Sequence, residues 1–309
     1  MTEPGPAARY RRFSDYLKTR FGGPVRKLSL DAGFSCPNRD GRVSGDGCVF
    51  CDPRGFTGRA LGTPAALEAQ IAGQIQKGQE RGIARFMAYF QPYTNTYAPV
   101  DSLRSTYDVI RAFPEIKALA VGTRPDCVDA DRLALLAEYT RDYEVWLELG
   151  LQSIHDETLR RLNRGHDARD FFLAVEAARR YPELRLCAHV ILGLPGETLE
   201  QELATARALG ALRIEGVKFH PLYVVAGTVL AEEYEQNLVT LLSRGEYVQR
   251  VGSFLEQLWP ETVIQRLSAD CPPEFLVAPT WLSEKSAVIA EIEAWLKNQD
   301  TRQGKKYFS

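Results

Sequence analysis

The strongest constraint on the fold is a regular alternation of short apolar runs with helical patterns over residues 27–224. This alternation predicts parallel strands joined by helices that cover the sheet. The six predicted strands are residues 27–32, 85–91, 116–123, 143–151, 185–192 and 216–224. Helix starts between them are marked by Thr63-Pro64, Asp101, Asp129 or Asp131, Asp156 or Asp167, and Thr198 with Gln201 at capping-box spacing.

Polar residues within the predicted strands distinguish an open sheet from an incomplete barrel. Because side chains alternate along a strand, Glu148 and Gln152 share one face of the fourth run and apolar residues share the other. The fifth run carries His189, and the sixth carries Lys218 and His220 on one face. An open sheet covered on both sides would bury these groups without partners, whereas a barrel lumen places them around a polar ligand. We therefore expect a partial barrel; the alternative is that Glu148 and Lys218 form an ion pair with each other.

Cys36, Cys48 and Cys51 lie in one glycine-rich loop that follows the first predicted strand. Closed zinc sites normally use four protein ligands. A fourth Cys or His is lacking nearby, since the histidines are at positions 155, 166, 189 and 220. Three thiolates with an open position fit a [4Fe–4S] cluster with one accessible iron.

Two other interpretations of these cysteines remain open. One is a structural zinc loop closed by Asp46, Asp52 or a distant histidine, and the other is a disulfide with a spare thiol. The other cysteines, at positions 127, 187 and 271, stand alone in the sequence and are expected to be ordinary buried thiols.

The composition limits the classes of protein to which this chain can belong. The chain has 309 residues, of which 45% are hydrophobic, so it has enough core for a barrel with an appendage. It has no apolar targeting segment and no membrane-length apolar run, so we expect a cytoplasmic protein without membrane contact. A net charge of −2 gives no general attraction to nucleic acid. Basic residues are nevertheless concentrated near the start of the chain: Arg9, Arg11, Arg12, Lys18, Arg20, Arg26 and Lys27.

The alternation of strands and helices ends after Val225. Residues 232–258 predict one or two helices, and a short strand, a proline-rich loop and a terminal helix over 283–298 follow. We expect a basic N-terminal segment over residues 1–26, a partial barrel over 27–230, and a C-terminal extension packed on the barrel over 231–309.

Six segments carry motifs in a fixed order: 28–41 around Cys36, 88–96, 122–126, 148–156, 162–167 and 189–198. Together they resemble the radical SAM superfamily, and most closely its YhcC/YtqA-type branch, which is related to the radical SAM half of the Elongator catalytic subunit. The resemblance extends from about Tyr10 to the C-terminus. It implies an α/β fold with a partial (β/α)6 radical SAM barrel and a C-terminal α/β extension.

The resemblance also implies two cofactors, a [4Fe–4S] cluster on the three loop cysteines and S-adenosylmethionine (SAM) at its open iron. Reductive cleavage of SAM would yield methionine and a 5′-deoxyadenosyl radical. Glu148 and Gln152 are then candidates for the ribose or the substrate, and Arg164 for the SAM carboxylate. The expected contacts further include Gly193, Gly196 and Glu197 near the adenine, Lys218 and His220 in the cavity, and Gln91 and Asn95 on the second strand, where the superfamily commonly has Gly-Gly-Glu-Pro.

The relationship to Elongator implies tRNA as partner, with modification of a wobble-uridine side chain, and the basic N-terminal residues are candidates for phosphate contacts. An electron donor such as flavodoxin or ferredoxin is also implied. Two alternatives remain: a small-molecule substrate of porphyrin type, which the Gly-Leu-Pro-Gly-Glu-Thr turn shares, and a zinc-stabilised RNA-binding protein without catalysis.

Overall fold

The computed structural model describes residues 8–52 and 64–307. All six predicted strands are present, and they pair in parallel and in chain order. A seventh strand from the C-terminal part of the chain pairs in parallel with the sixth, and two short strands form a separate antiparallel pair. The strands are β1 (Val25–Leu30), β2 (Arg85–Phe90), β3 (Ile116–Thr123), β4 (Glu144–Gln152), β5 (Arg185–Leu192), β6 (Gly216–Pro221), β7 (Val224–Val225), β8 (Val263–Arg266) and β9 (Leu276–Ala278).

Helices follow most of the strands, as the alternation predicts. Those in the described residues are α1 (Phe13–Phe21), α2 (Pro64–Gln79), α3 (Val100–Asp108), α4 (Ala130–Tyr139), α5 (Asp156–Arg161), α6 (Ala168–Ala178), α7 (Leu199–Ala211), α8 (Val229–Glu235), α9 (Arg244–Gln257) and α10 (Lys285–Asn298).

Several predicted helix starts are confirmed by their hydrogen bonds. The Asp129 side chain accepts from the backbone N–H of Arg132 and caps α4, and Thr198 forms a capping box with Gln201 at the start of α7. Both members of the Asp156 or Asp167 alternative begin helices, α5 and α6. These caps satisfy backbone N–H groups that the first helical turn leaves unpaired.

Other boundaries differ from the prediction. The second predicted helix begins at Val100 after Pro99, so Asp101 lies in its first turn and is not its cap. The sixth strand ends at Pro221 rather than at 224, because the chain leaves the sheet there to form β7. Thr63 lies outside the described residues.

The sheet is curled into a partial barrel. Lys27 on the edge strand β1 donates from Nζ to Gln265 Oε1 on the opposite edge strand β8, over 2.7 Å. In a flat sheet with this strand order the two edges would be roughly 29 Å apart. Side chains from the two edges therefore meet across the concave face, and this confirms the partial barrel.

The concave face of the sheet carries an apolar layer and a polar layer. Near the amino ends of the strands, here called the lower end, Phe13 and Leu17 of α1 pack against Met87, Trp146 and Val263 from the strands. The convex face packs against the helices in the main apolar core. Helix α1 therefore plugs the lower end of the barrel with apolar groups, and polar residues of the strands lie above this plug.

The packing of α9 on α10 gives a stability prediction. A methyl group on Gly252 of α9 would overlap the ring of Trp295 on α10. Gly252→Ala should therefore lower the free energy of unfolding by about 1–3 kcal/mol through overpacking. Urea denaturation measures this change.

Gly245, on the same helix, is a matched control because a methyl group there meets nothing within 4 Å. Gly245→Ala should leave stability unchanged or raise it by about 0.5–1 kcal/mol, since Ala favours helix over Gly. Equal stability of the two variants would contradict the packing described for Gly252.

Candidate functional site

A cavity of about 250 Å³ opens at the carboxyl ends of the parallel strands. In barrels built from parallel strands, ligands bind at this end because the loops that follow the strands converge there. Its lining includes residues from the thiol loop and from the ends of successive strands: Cys36, Cys48, Cys51, Gln91, Thr123, Gln152, Arg164, His189, His220 and Arg266.

The three loop cysteines are free thiols that line this one cavity. Two sulfurs receive side-chain N–H groups: Arg164 Nη1 and Asn38 Nδ2 lie 3.4 and 3.5 Å from Cys48 Sγ, and Arg39 Nη1 lies 3.5 Å from Cys51 Sγ. Burial raises the pKa of Cys51, Cys48 adds to the effect, and Arg39 opposes it. Positive N–H donors directed at sulfur favour the thiolate form, which is the form that binds metals.

The arrangement of the three thiols distinguishes a site for a single metal ion from a site for a cluster. Among residues 8–52 and 64–307, no three His, Cys, Asp or Glu side chains converge in the way that ligands of a single metal ion do. A four-iron cluster has a different requirement, because each thiolate binds its own iron. Three thiols on one cavity wall, with N–H donors beside two of them, fit such a cluster.

The remaining cysteines lie outside the cavity lining. Cys187 is fully buried in the apolar cluster of the lower barrel, as expected. Cys127 and Cys271 are half-buried, so the expectation of three buried thiols is wrong for these two. Burial raises the pKa of Cys127 to about 12, with Asp126 adding to the effect.

Four of the predicted polar contacts line the cavity: Gln91, Gln152, Arg164 and His220. Gln152 has φ of +70°, at a shift in register between β4 and β5. Arg164 also donates from Nη2 to the backbone oxygen of Gly150 over 3.0 Å. A methyl group on Gly150 would lie 2.5 Å from this nitrogen, so the glycine is what lets the guanidinium approach β4.

Glu148 and Lys218 lie beneath the cavity rather than in its lining. Glu148 is fully buried and accepts from Lys27 Nζ over 3.1 Å, from Lys218 Nζ, and from His189 Nε2 over 2.8 Å. Burial opposes its ionisation, but Lys218 and Lys27 outweigh burial and hold its pKa well below the usual range. The ion pair between Glu148 and Lys218 that was left as an alternative is therefore formed, as part of a larger polar layer.

The other predicted contacts also lie outside the lining. Asn95 Nδ2 donates to the backbone oxygens of Pro92 and Gly122, each over 2.9 Å. Gly193 and Gly196 have φ of +82° and +83° in the turn between β5 and α7. Glu197 accepts from the hydroxyl of Ser153, and burial raises its pKa. Roles of these four residues in cofactor binding stay predictions.

Several lining residues carried no sequence signal that singles them out, among them Tyr89, Tyr223 and Arg266. Arg266 is the last residue of β8, and its position depends on the pairing of β8 with β6. Arg124 is fully buried near the thiol loop and forms two hydrogen bonds with Asp126, of 2.9 and 2.8 Å, and one of 2.7 Å to the backbone oxygen of Arg164.

Most basic residues of the N-terminal segment are ion-paired within the protein. The pairs are Arg9 with Asp300, Arg11 with Glu261, Arg12 with Glu293, Arg20 with Glu144, and Lys27 with Glu148. These guanidinium and ammonium groups are therefore less available to a phosphate than the sequence alone implies. Within the described part of the chain no helix is long and apolar enough to cross a bilayer.

Comparisons with known proteins agree with this geometry. Residues 36–209 match the family model of the Radical SAM superfamily, and residues 214–298 match that of the Radical SAM C-terminal domain. The protein MJ0486 of Methanocaldococcus jannaschii is 37% identical over 303 residues, or 97% of this chain and 92% of that protein. The protein YhcC of Escherichia coli is 39% identical over 285 residues, which cover 92% of this chain and 91% of that protein.

More distant similarity extends to proteins of the Elongator type. The tRNA uridine(34) acetyltransferase of Dehalococcoides mccartyi is 28% identical over 165 residues, or 52% of this chain and 35% of that protein. Among solved structures, the Elp3 of Methanocaldococcus infernus superimposes with a TM-score of 0.66 at 16% identity, covering 90% of this chain and 64% of that one. The cofactors of the radical SAM superfamily are a [4Fe–4S] cluster and S-adenosylmethionine. The chain belongs to this superfamily and is a radical SAM enzyme.

Proposed function

We propose that this enzyme reductively cleaves SAM at a [4Fe–4S] cluster held by Cys36, Cys48 and Cys51, and that it modifies the side chain of a wobble uridine in tRNA. The observation that carries the first part is the convergence of three free thiols on one cavity, with N–H donors beside two of the sulfurs. The second part is supported by the similarity to the tRNA uridine(34) acetyltransferase.

The chemistry that these cofactors supply when bound is the one-electron cleavage of SAM to methionine and a 5′-deoxyadenosyl radical. The electron would come from a low-potential protein such as flavodoxin or ferredoxin. Residues of this chain provide binding, orientation and exclusion of water. The polar layer around Glu148 and the apolar residues of α1 lie beneath the cavity and cover its lower side.

Arg164 has two tasks in this proposal. Its Nη1 donates to Cys48 Sγ and its Nη2 donates to the Gly150 backbone, while Nε is buried without a hydrogen-bond partner among the described residues. A buried guanidinium with a remaining donor favours an anionic ligand, and the SAM carboxylate meets this requirement. Arg164 would therefore orient SAM and also influence the thiolate at Cys48. Gln152, in the same lining, is then a candidate for the ribose hydroxyls.

The tRNA part of the proposal does not depend on the N-terminal basic segment, because most of its cations are paired with carboxylates of the protein. Lys18 and Arg26 remain candidates for phosphate contacts. The proposal depends instead on the similarity to the tRNA uridine(34) acetyltransferase over 165 residues, about half of this chain.

The cluster ligands are tested by replacing each of the six cysteines with Ala. After anaerobic reconstitution, C36A, C48A and C51A should lose most iron and sulfide, because the remaining two thiolates hold a cluster poorly. C127A is the matched control, since Cys127 is half-buried but outside the cavity lining, and it should keep its cluster. Full iron and sulfide content in C48A would exclude the assignment.

The role of Arg164 is tested by Arg164→Gln, with Arg160→Gln as control. Arg160 lies exposed on α5, four positions upstream, and its replacement makes the same change in charge. Arg164→Gln should weaken SAM binding by about 10- to 150-fold, because a hydrogen bond from a charged group contributes roughly 1.5–3 kcal/mol. It should also lower the midpoint potential of the cluster, because a donor to a ligand sulfur is lost. A Kd for SAM and a potential equal to those of Arg160→Gln would contradict both tasks.

The substrate is tested by mass spectrometry of tRNA nucleosides from cells with and without the protein. A uridine derivative modified at C5 should change in abundance when the protein is absent, and the parent chain should restore it whereas C48A should not. An unchanged nucleoside profile would reject the tRNA substrate and direct attention to a small molecule.

A further inference from the structure

The floor of the cavity is formed by side chains near the ends of β5, β6 and β8. His189, His220 and Arg266 all line it. The two imidazole rings lie 5.9 Å apart between centroids, and Arg266 Nη2 contacts the edge of the His220 ring, with Nε2 as its nearest atom and Nδ1 2.8 Å away. This group is separate from the thiol loop, whose supports come from the turn after α5.

Among the described residues, the polar layer beneath this floor contains two lysines, Lys27 and Lys218, and one carboxylate; burial lowers the pKa of Lys218 to about 7 although Glu148 opposes this. Glu148 is this carboxylate, and both its oxygens are occupied by Lys27, Lys218 and His189. Arg266 adds a further cation. It forms no ion pair with a described carboxylate, and its Nε has no hydrogen-bond partner within residues 8–52 and 64–307.

Burial and the neighbouring cations determine the protonation of the two histidines. Burial, followed by Lys218, lowers the pKa of His189 to about 4 although Glu148 opposes this. Burial and Arg266 hold the pKa of His220 well below its usual range. Both imidazoles are therefore neutral near pH 7, so they add hydrogen-bonding capacity to the floor without adding charge.

An uncompensated, partly buried guanidinium is costly unless an anion binds it. Three guanidinium groups of the cavity lining form no ion pair with a described carboxylate: Arg39 and Arg164, which each contact a thiol sulfur, and Arg266 on the floor. SAM carries one carboxylate, and the proposed function uses it at Arg164. Arg266 then remains for a second anionic group, which SAM cannot supply at the same time.

We propose that Arg266 binds an anionic group of the substrate, a carboxylate or a phosphate, at the floor of the cavity, with His220 holding the guanidinium in place. The inference rests on the proposed function and adds the chemical class of the substrate to it. In this proposal β8, an edge strand of the main sheet, contributes to recognition of the substrate.

The test uses the reconstituted, SAM-loaded enzyme and two probes, inorganic phosphate and acetate, titrated by calorimetry. Binding of phosphate alone assigns a phosphoryl group, and binding of acetate alone or of both probes assigns a site that accepts a carboxylate. Arg266→Gln should weaken the binding of the preferred probe about tenfold, because the charged donor is lost. Arg266→Lys should retain part of the affinity, since it keeps the charge but loses the planar pair of donors.

The matched control is Arg244→Gln. Arg244 lies on α9, outside the cavity lining, and pairs with Glu284 over 2.7 Å and with Glu291 over 3.0 Å. This variant should bind both probes as the parent does. It shows whether removing one positive charge outside the cavity changes the binding of the anions.

Three results would overturn the inference. These are a parent enzyme that binds neither probe, an Arg266→Gln protein that binds them as the parent does, and a fall in SAM affinity in Arg266→Gln as large as the fall in probe affinity. The last result would assign Arg266 to SAM. Cluster content and SAM binding are measured on the same samples. If the parent enzyme binds neither cluster nor SAM, the proposed function itself is rejected. If it binds both but neither anion, only the inference about Arg266 is rejected.

Discussion

The interior of this barrel depends on one buried carboxylate, that of Glu148. It lies on β4, in the middle of the sheet, and contacts Lys27 from β1, His189 from β5 and Lys218 from β6. Without it the ammonium groups of Lys27 and Lys218 would lie close together inside the barrel with no compensating charge, a costly arrangement in a poorly solvated interior. The carboxylate thus lets strands from both halves of the sheet direct polar side chains inward. The result is a polar layer between the apolar plug of α1 and the cavity.

Much of this arrangement follows from the sequence by simple rules. The apolar runs and the helices between them predict six parallel strands in chain order, and the period of two predicts that Glu148 and Lys218 face inward. The rule does not extend to Gln152. There the register between β4 and β5 shifts, and the residue reaches the cavity through a left-handed backbone conformation that no alternation pattern indicates. Arg266 was missed for a related reason, since β8 is short and its register is set only by its pairing with β6.

The basic residues of the N-terminal segment show a second limit of prediction from sequence. Seven basic residues close together in sequence indicate a nucleic-acid surface when they are considered alone. Their partners, Glu144, Glu261, Glu293 and Asp300, lie 124 to 291 positions away in the chain. Local patterns cannot identify such pairs, because three of the partners lie in the C-terminal part of the chain and the fourth, Glu144, is the first residue of β4. A cluster of basic residues in a sequence is therefore weaker support for phosphate binding than three cysteines are for a metal centre.

The thiol loop and the floor of the cavity are supported by different parts of the chain. The thiol loop is held by the turn after α5: Asn38 Nδ2 donates to the Asn163 backbone over 2.6 Å, and Asn163 Nδ2 donates to the Gly47 backbone over 2.7 Å. The floor is held by β6 and β8, and β8 comes from the region that matches the C-terminal family model. Substitutions at Arg266 or His220 therefore change the floor while leaving these supports of the thiol loop in place. The three loop cysteines lie in the segment that matches the superfamily model, and His220 and Arg266 lie in the segment that matches the C-terminal model, so the two proposed roles belong to different parts of the chain.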